Sequence, residues 1–291
     1  MQHQQSTLET PVVFDCQDNQ LLGIIHRTDS EASLGVLLVV GGPQYRAGSH
    51  RQFVLLARYL AGRGIPAMRF DVRGMGDSNG DGKHFDELDA DIQSAVDCFI
   101  TSANLKRVII WGLCDAASAA LFYAYQDHRV AGLVLLNPWV FTEQGSAETY
   151  LKHYYIKRIA SPDFWRKVFS FKFDVVTSFN SLFVMLKKSR SIAAPPGVVE
   201  GASIVDKDLP LPVKMRECFK QFGKPVLLIL SGRDLTADEF KHAVANDPDW
   251  QKLLSNPLVT KHDFLEADHT FSSAVWRDQV AEWTASWVTT L

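Results

Sequence analysis

Short apolar, β-branched runs alternate along this chain of 291 residues with longer stretches whose apolar residues recur at three-and-four spacing. That alternation predicts a mostly parallel sheet covered by helices on both faces. Eight strands are expected, near residues 12–16, 21–27, 34–40, 66–70, 107–111, 132–136, 225–231 and 261–265. Core-packed helices are expected over 51–61, 85–101, 116–124 and 271–288, with Gly62 and Gly64 as a stop signal after the first. The alternation breaks between about Val140 and Phe222, a gap too long for an ordinary crossover. An inserted subdomain is the economical explanation, which divides the chain into a core from 1 to 139, an insertion from 140 to 222 and a second core segment from 223 to 291.

Composition narrows the class of protein. With 46% hydrophobic and 22% charged residues the chain is able to bury a sizeable core, which argues against disorder, collagen and coiled coil. Thirty Lys and Arg against 33 Asp and Glu leave a net charge of −3, with no overall electrostatic footprint for nucleic acid. Cys16, Cys98, Cys114 and Cys218 are scattered and lack CxxC spacing, as in a reduced, cytoplasmic protein with no zinc site. The polar N-terminus does not read as a signal peptide, and apolar runs of five residues are far too short to span a bilayer.

The insertion carries its own charge. Residues 151–190 hold nine Lys and Arg against two Asp, together with nine of the chain's aromatic residues. Residues 191–213, with Ala194-Pro195-Pro196-Gly197, read as a loop returning to the main body.

The chemistry-bearing residues lie at strand ends. The strand at 107–111 runs into Gly112-Leu113-Cys114-Asp115-Ala116 and then a helix, the context of a nucleophile elbow with Cys114 at its tip. Small residues are needed two before and two after the nucleophile, and Gly112 and Ala116 meet the demand. With Asp115 as nucleophile, Leu113 and Ala117 would flank and fail it. A thiol here gains from the helix N-terminus and from a neighbouring imidazole; otherwise Cys114 is a small buried hydrophobe. Asp234 and His269 follow later strands in the order nucleophile, acid, base. Each also has a plainer reading, Asp234 as a helix cap and His269 as a surface residue at a helix start. Gly41-Gly42-Pro43-Gln44 ends a third strand, where the Gly42 N–H is the preferred oxyanion donor and the Asp115 N–H the second. Pro43 has no N–H, which leaves Gln44 as the nearby fallback, and the segment is otherwise a glycine turn. His50, close in sequence, is a candidate to line the site with Gln44.

Together these segments, with Arg69-Phe70-Asp71-Val72-Arg73-Gly74-Met75-Gly76-Asp77-Ser78, resemble the α/β-hydrolases over essentially the whole chain from Leu34. More narrowly, residues 41–53 and Trp111-Gly112-Leu113-Cys114-Asp115 look like the type 1 hydrolases associated with exosortase A and bacterial exopolysaccharide clusters. The resemblance implies an α/β-hydrolase fold with an inserted helical cap between the sixth and seventh strands. Two departures stand out: Cys114 replaces the usual serine, as in dienelactone hydrolases, and Val40 stands where a histidine often precedes the oxyanion glycines. Asp71 to Gly80 reads as structural.

The expected activity is cleavage or transfer of an acyl group from an ester or thioester, with no metal or organic cofactor, Cys114 attacking, His269 moving the proton and Asp234 holding the imidazole. The substrate is expected to be a small-molecule or lipid-linked acyl compound. The basic, aromatic insertion suits an apolar acyl group or peripheral contact with an anionic membrane, against the plainer reading of a solvated helical cap. Binding of single-stranded nucleic acid has little room beside a triad-bearing cleft. The rival from another class is a non-catalytic protein on this scaffold that binds a lipid-linked or polysaccharide intermediate. Neither the acyl group, the leaving group nor the oligomeric state is encoded in a motif.

Overall fold

The computed structural model describes residues 8–29, 31–42, 44–141 and 205–291. Eight strands form one sheet: β1 (Glu9–Cys16), β2 (Asn19–His26), β3 (Leu34–Val39), β4 (Ala67–Phe70), β5 (Arg107–Leu113), β6 (Val130–Leu136), β7 (Val226–Arg233) and β8 (Val259–Asp268). Their order is β1-β2-β4-β3-β5-β6-β7-β8. The β1–β2 and β2–β4 pairs are antiparallel and every later pair is parallel. All eight expected strands are present, within a few residues of the expected bounds.

Burial explains why the central strands read as unbroken apolar runs. β3, β4 and β5 are flanked by strands on both sides and covered on both faces, so nearly every residue in them is buried. β1, at the edge, instead alternates intermediate and exposed positions. One face of the sheet packs against α2 (Asp89–Ala103), α3 (Asp115–Ala124) and α4 (Leu211–Phe222), through Ile92, Phe99, Leu121, Phe122, Met215 and Phe219. The other packs against α1 (Gln52–Ala61) and α7 (Ala274–Val288), through Phe53, Leu56, Leu60, Val280 and Trp287. Two further helices, α5 (Leu235–Ala245) and α6 (Pro248–Leu254), lie between β7 and β8.

Two expectations are corrected. The helix expected from residue 85 breaks at Leu88, so that a 3-10 turn at Phe85–Glu87 precedes α2. Residues 211–222, placed in the insertion and partly in its return loop, form α4, which buries Met215, Cys218, Phe219 and Phe222 in the main core. Pro210 caps this helix and Pro212 sits in its first turn, where a missing N–H costs nothing. The basic aromatic stretch at 151–190 and the Ala194-Pro195-Pro196-Gly197 segment lie outside the described residues. Among the described residues, no helix is long and apolar enough to cross a membrane.

Candidate active site

The parallel order brings the C-terminal ends of β3, β5, β6, β7 and β8 to one rim, where loops from open α/β sheets meet ligands. β5, in mid-sheet, ends at Leu113, and Cys114 follows with φ 61° and ψ −124°, a conformation that costs a non-glycine residue about 1–3 kcal/mol. Asp115 then starts α3. The turn is tight enough that a Cβ on Gly112 would lie 2.5 Å from the Ala116 carbonyl oxygen, which is the close approach expected of an elbow. Cys114, not Asp115, occupies its tip, partly accessible.

Asp234 and His269 arrive from the two adjoining strand ends. His269 Nδ1 lies 2.9 Å from Asp234 Oδ2, an ion-pair contact whose N–H is poorly aligned for a straight hydrogen bond. Asp234 is nearly buried, and its carboxylate also accepts the N–H groups of Thr236 at 3.2 Å and Ala237 at 3.0 Å. It therefore caps α5 and faces the imidazole at once, so that its two readings from sequence are both realised. The Asp234 carboxylate and then the Cys114 sulfur, as acceptors beside the ring, push the His269 imidazole up to about 10, against the opposing effect of burial. The structure thus brings Cys114, His269 and Asp234 together.

The remaining expected residues are placed less simply. Gly42 N–H points to the rim but already donates to Asp115 Oδ2 at 2.7 Å, so the preferred oxyanion donor is engaged. Gln44 does not reach into the cleft: its Oε1 accepts the Ser49 N–H at 3.3 Å and closes the turn before α1. His50 is exposed and near enough to Asp268, beside His269, to help lower that carboxyl, although the Ser272 side chain does more. Pro43 lies outside the described residues.

Two residues that matter here carry no signal in the sequence, and a third has a side chain with a part beyond those expected for it. Asn137 is buried, with φ 42°; its Nδ2 donates to the His269 carbonyl at 3.0 Å and its Oδ1 accepts the Ser231 N–H at 2.9 Å. One amide thus ties the ends of β6 and β7 to the histidine loop. Trp139 donates its backbone N–H to the Cys114 carbonyl at 3.2 Å, and its own carbonyl accepts the Ser118 hydroxyl at 2.7 Å. The third is the Asp115 side chain. A cavity of about 220 Å³ opens beside it, lined by Gly41, Gly42, Val72, Met75, Phe85, Leu88 and Trp139, with Lys83 and His84 also in its wall. Val72 and Met75 belong to the stretch read as structural, where buried Asp71 does hold the Arg46 guanidinium and accept the Asp77 N–H. Larger hollows of about 450 and 510 Å³ lie at the opposite, N-terminal ends of the strands, away from Cys114.

A sequence model described as the alpha/beta hydrolase family matches residues 36–287. The chain belongs to that family. An esterase of Pyrococcus furiosus is similar to this α/β-hydrolase at 16% identity and a TM-score of 0.64, over 98% of this chain and 92% of the esterase. A serine hydrolase without lid from Xanthomonas campestris matches at 15% identity and 0.56, over 96% and 94% of the two chains. A Butyrivibrio proteoclasticus protein with ferulic acid bound matches at 16% and 0.59, over 96% and 99%. At these identities the likeness is one of fold. No curated protein matches this α/β-hydrolase in sequence.

Proposed function

We infer that this α/β-hydrolase cleaves or transfers acyl groups from esters or thioesters through Cys114. The observation that carries the reading is the 2.9 Å approach of His269 to Asp234 beside a cysteine held in the elbow conformation. An imidazole raised to about 10 is an imidazolium at neutral pH, suited to stand beside a thiolate. The thiolate attacks the carbonyl carbon, the carbonyl π electrons move to oxygen, and collapse expels the leaving group, which takes the His269 proton. Neutral His269 then removes a proton from water, whose oxygen attacks the acyl thioester. Breakage of the C–S bond restores the Cys114 thiolate and releases the acid. An acceptor alcohol or thiol in place of water gives transfer. The Asp115 and Gly42 N–H groups serve the oxyanion, once Gly42 is released from the Asp115 carboxylate.

The resemblance of residues 41–53 and 111–115 directs the substrate toward an acyl or lipid-linked intermediate of exopolysaccharide production. The insertion is the segment expected to choose it, and its basic and aromatic residues suit contact with an anionic lipid surface. Four free thiols support a cytoplasmic setting. The engaged Gly42 donor is the one observation that favours the binding-protein reading, since an idle hydrolase scaffold needs no free oxyanion site.

Limiting iodoacetamide separates the two. Burial pushes the Cys16 and Cys98 thiols up, and Cys218 up to about 12, so all three should react slowly. The acyl-transfer reading expects Cys114 to be labelled first, and His269→Ala to slow that labelling. Labelling that ignores His269, in a protein that turns over no ester or thioester, favours the binding role.

A further inference from the structure

The side chain that follows Cys114 engages one of the two backbone N–H groups assigned above to the reaction oxyanion. Asp115 Oδ2 accepts the Gly42 N–H at 2.7 Å and Oδ1 accepts the Ala116 N–H at 3.0 Å. Its seat is shaped for it: a Cβ on Gly41 would lie 2.1 Å from Oδ1 and 2.7 Å from the Ala116 nitrogen, so any larger residue would evict the carboxylate. The same carboxylate lines the 220 Å³ cavity, together with Gly41 and Gly42. Burial pushes this carboxyl up, against the pull of the Gly42 and Ala116 N–H groups.

An oxyanion and a carboxylate cannot share one N–H donor without strong repulsion at this range. The carboxylate must release Gly42 before the carbonyl takes its place, and a half-buried carboxylate that loses a donor needs another. Oδ1 keeps the Ala116 N–H, and a donor on the incoming acyl group can replace the one that Oδ2 gives up, beside Lys83 and His84 in the wall of the same cavity. Resting on the acyl-transfer reading above, we propose that Asp115 determines specificity: it selects acyl groups that carry a hydroxyl or ammonium donor beside the scissile carbonyl. That donor takes over the carboxylate, frees the Gly42 N–H and completes the oxyanion site. A plain acyl group leaves the gate shut.

The test compares acetyl and hydroxyacetyl thioesters of N-acetylcysteamine on the wild type, Asp115→Asn and Asp115→Ala, following acylation of Cys114 by intact mass in a single turnover. Each rate is divided by that variant's iodoacetamide alkylation rate, which depends on the thiolate but builds no oxyanion. Each is also divided by the thioester's rate with a small free thiol. The wild type should favour hydroxyacetyl about tenfold, a fraction of what one oxyanion donor is worth. Asp115→Ala should gain about tenfold on acetyl and lose the preference, and Asp115→Asn, whose amide oxygen can still accept the Gly42 N–H without the negative charge, should fall between it and the wild type. Equal rates for the two thioesters in the wild type would overturn the proposal. So would wild-type behaviour in Asp115→Ala, which leaves Gly42 without its side-chain acceptor, because Asp115 would then only hold the loop. If no variant acylates with either thioester, and Cys114→Ala matches the wild type, the acyl-transfer reading itself fails and this proposal falls with it.

Discussion

His26 and His269 have the same side chain and opposite surroundings. His26 is buried at the β1–β2–β4 end of the sheet, where its Nε2 accepts the Arg69 Nε–H at 3.0 Å and Glu9 stands 3.9 Å from its Nδ1. Burial and the Arg69 charge hold its imidazole down to about 4, outweighing Glu9. His269 has a carboxylate at 2.9 Å and a thiol for neighbours, and is pushed up to about 10. A histidine that accepts from a guanidinium stays neutral and serves packing. One set beside an acid and a sulfur is pushed toward its protonated form.

The sharpest break in this contrast is to remove the carboxylate or the imidazole at the rim. His269→Ala should lower kcat/KM on a reactive short-chain ester by about 10³-fold, and Asp234→Asn by about 10²-fold or more, as expected for a general acid–base and its orienting partner. Asp234→Asn keeps one oxygen to cap α5, so its melting temperature should fall less than that of Asp234→Ala. Kinetics paired with thermal denaturation check both.

Asn137→Ala tests whether the bridge to the histidine loop matters. It leaves the Ser231 N–H and the His269 carbonyl without their partner, at about 1–3 kcal/mol in stability. It should also cost about tenfold in kcat with less effect on KM, because the imidazole loses its anchor rather than its chemistry. Asn137→Asp retains only the acceptor, and should recover the Ser231 contact but not that to His269.

The pH dependences should run in opposite senses. For His269, with its pKa raised above an unfolded value of about 6.5, the stabilisation is fully present below pH 6.5 and is lost as pH rises through about 10. For His26, lowered to about 4, the unfolded chain takes the proton first, so stability declines as pH falls from about 6.5 toward 4. Denaturation midpoints against pH should therefore lose their alkaline slope in Asp234→Asn and part of their acid slope in His26→Gln. The smallest effect expected is on catalysis by His26→Gln, which should match the wild type in kcat/KM, because His26 pairs with Ala67 at the start of β4, the end of that strand opposite the rim.

Sequence reading recovered most of the sheet because β3 to β7 are buried on both faces and must be written as continuous apolar runs. It missed α4 because residues 191–213, with Ala194-Pro195-Pro196-Gly197, read as a loop and the rest to Phe222 as insertion, although Met215, Cys218, Phe219 and Phe222 already carried helical spacing. Cys114, Asp234 and His269 were legible because each follows a strand in a fixed order. Asn137 was not, since its partners lie 94 and 132 residues away and only the closed sheet brings them near. Nor was the engagement of Gly42 by Asp115, 73 residues apart, which depends on how one carboxylate turns at the start of α3.

The central claim is that the Cys114 sulfur becomes acylated with His269 as its proton partner. Rapid acid quench after mixing the protein with a reactive acyl ester, followed by peptide mapping, reads this directly. The account predicts the acyl mass on the peptide containing Cys114, formed far more slowly in His269→Ala and missing in Cys114→Ala. An acyl group mapped to another residue, or unchanged turnover in Cys114→Ala, would contradict it.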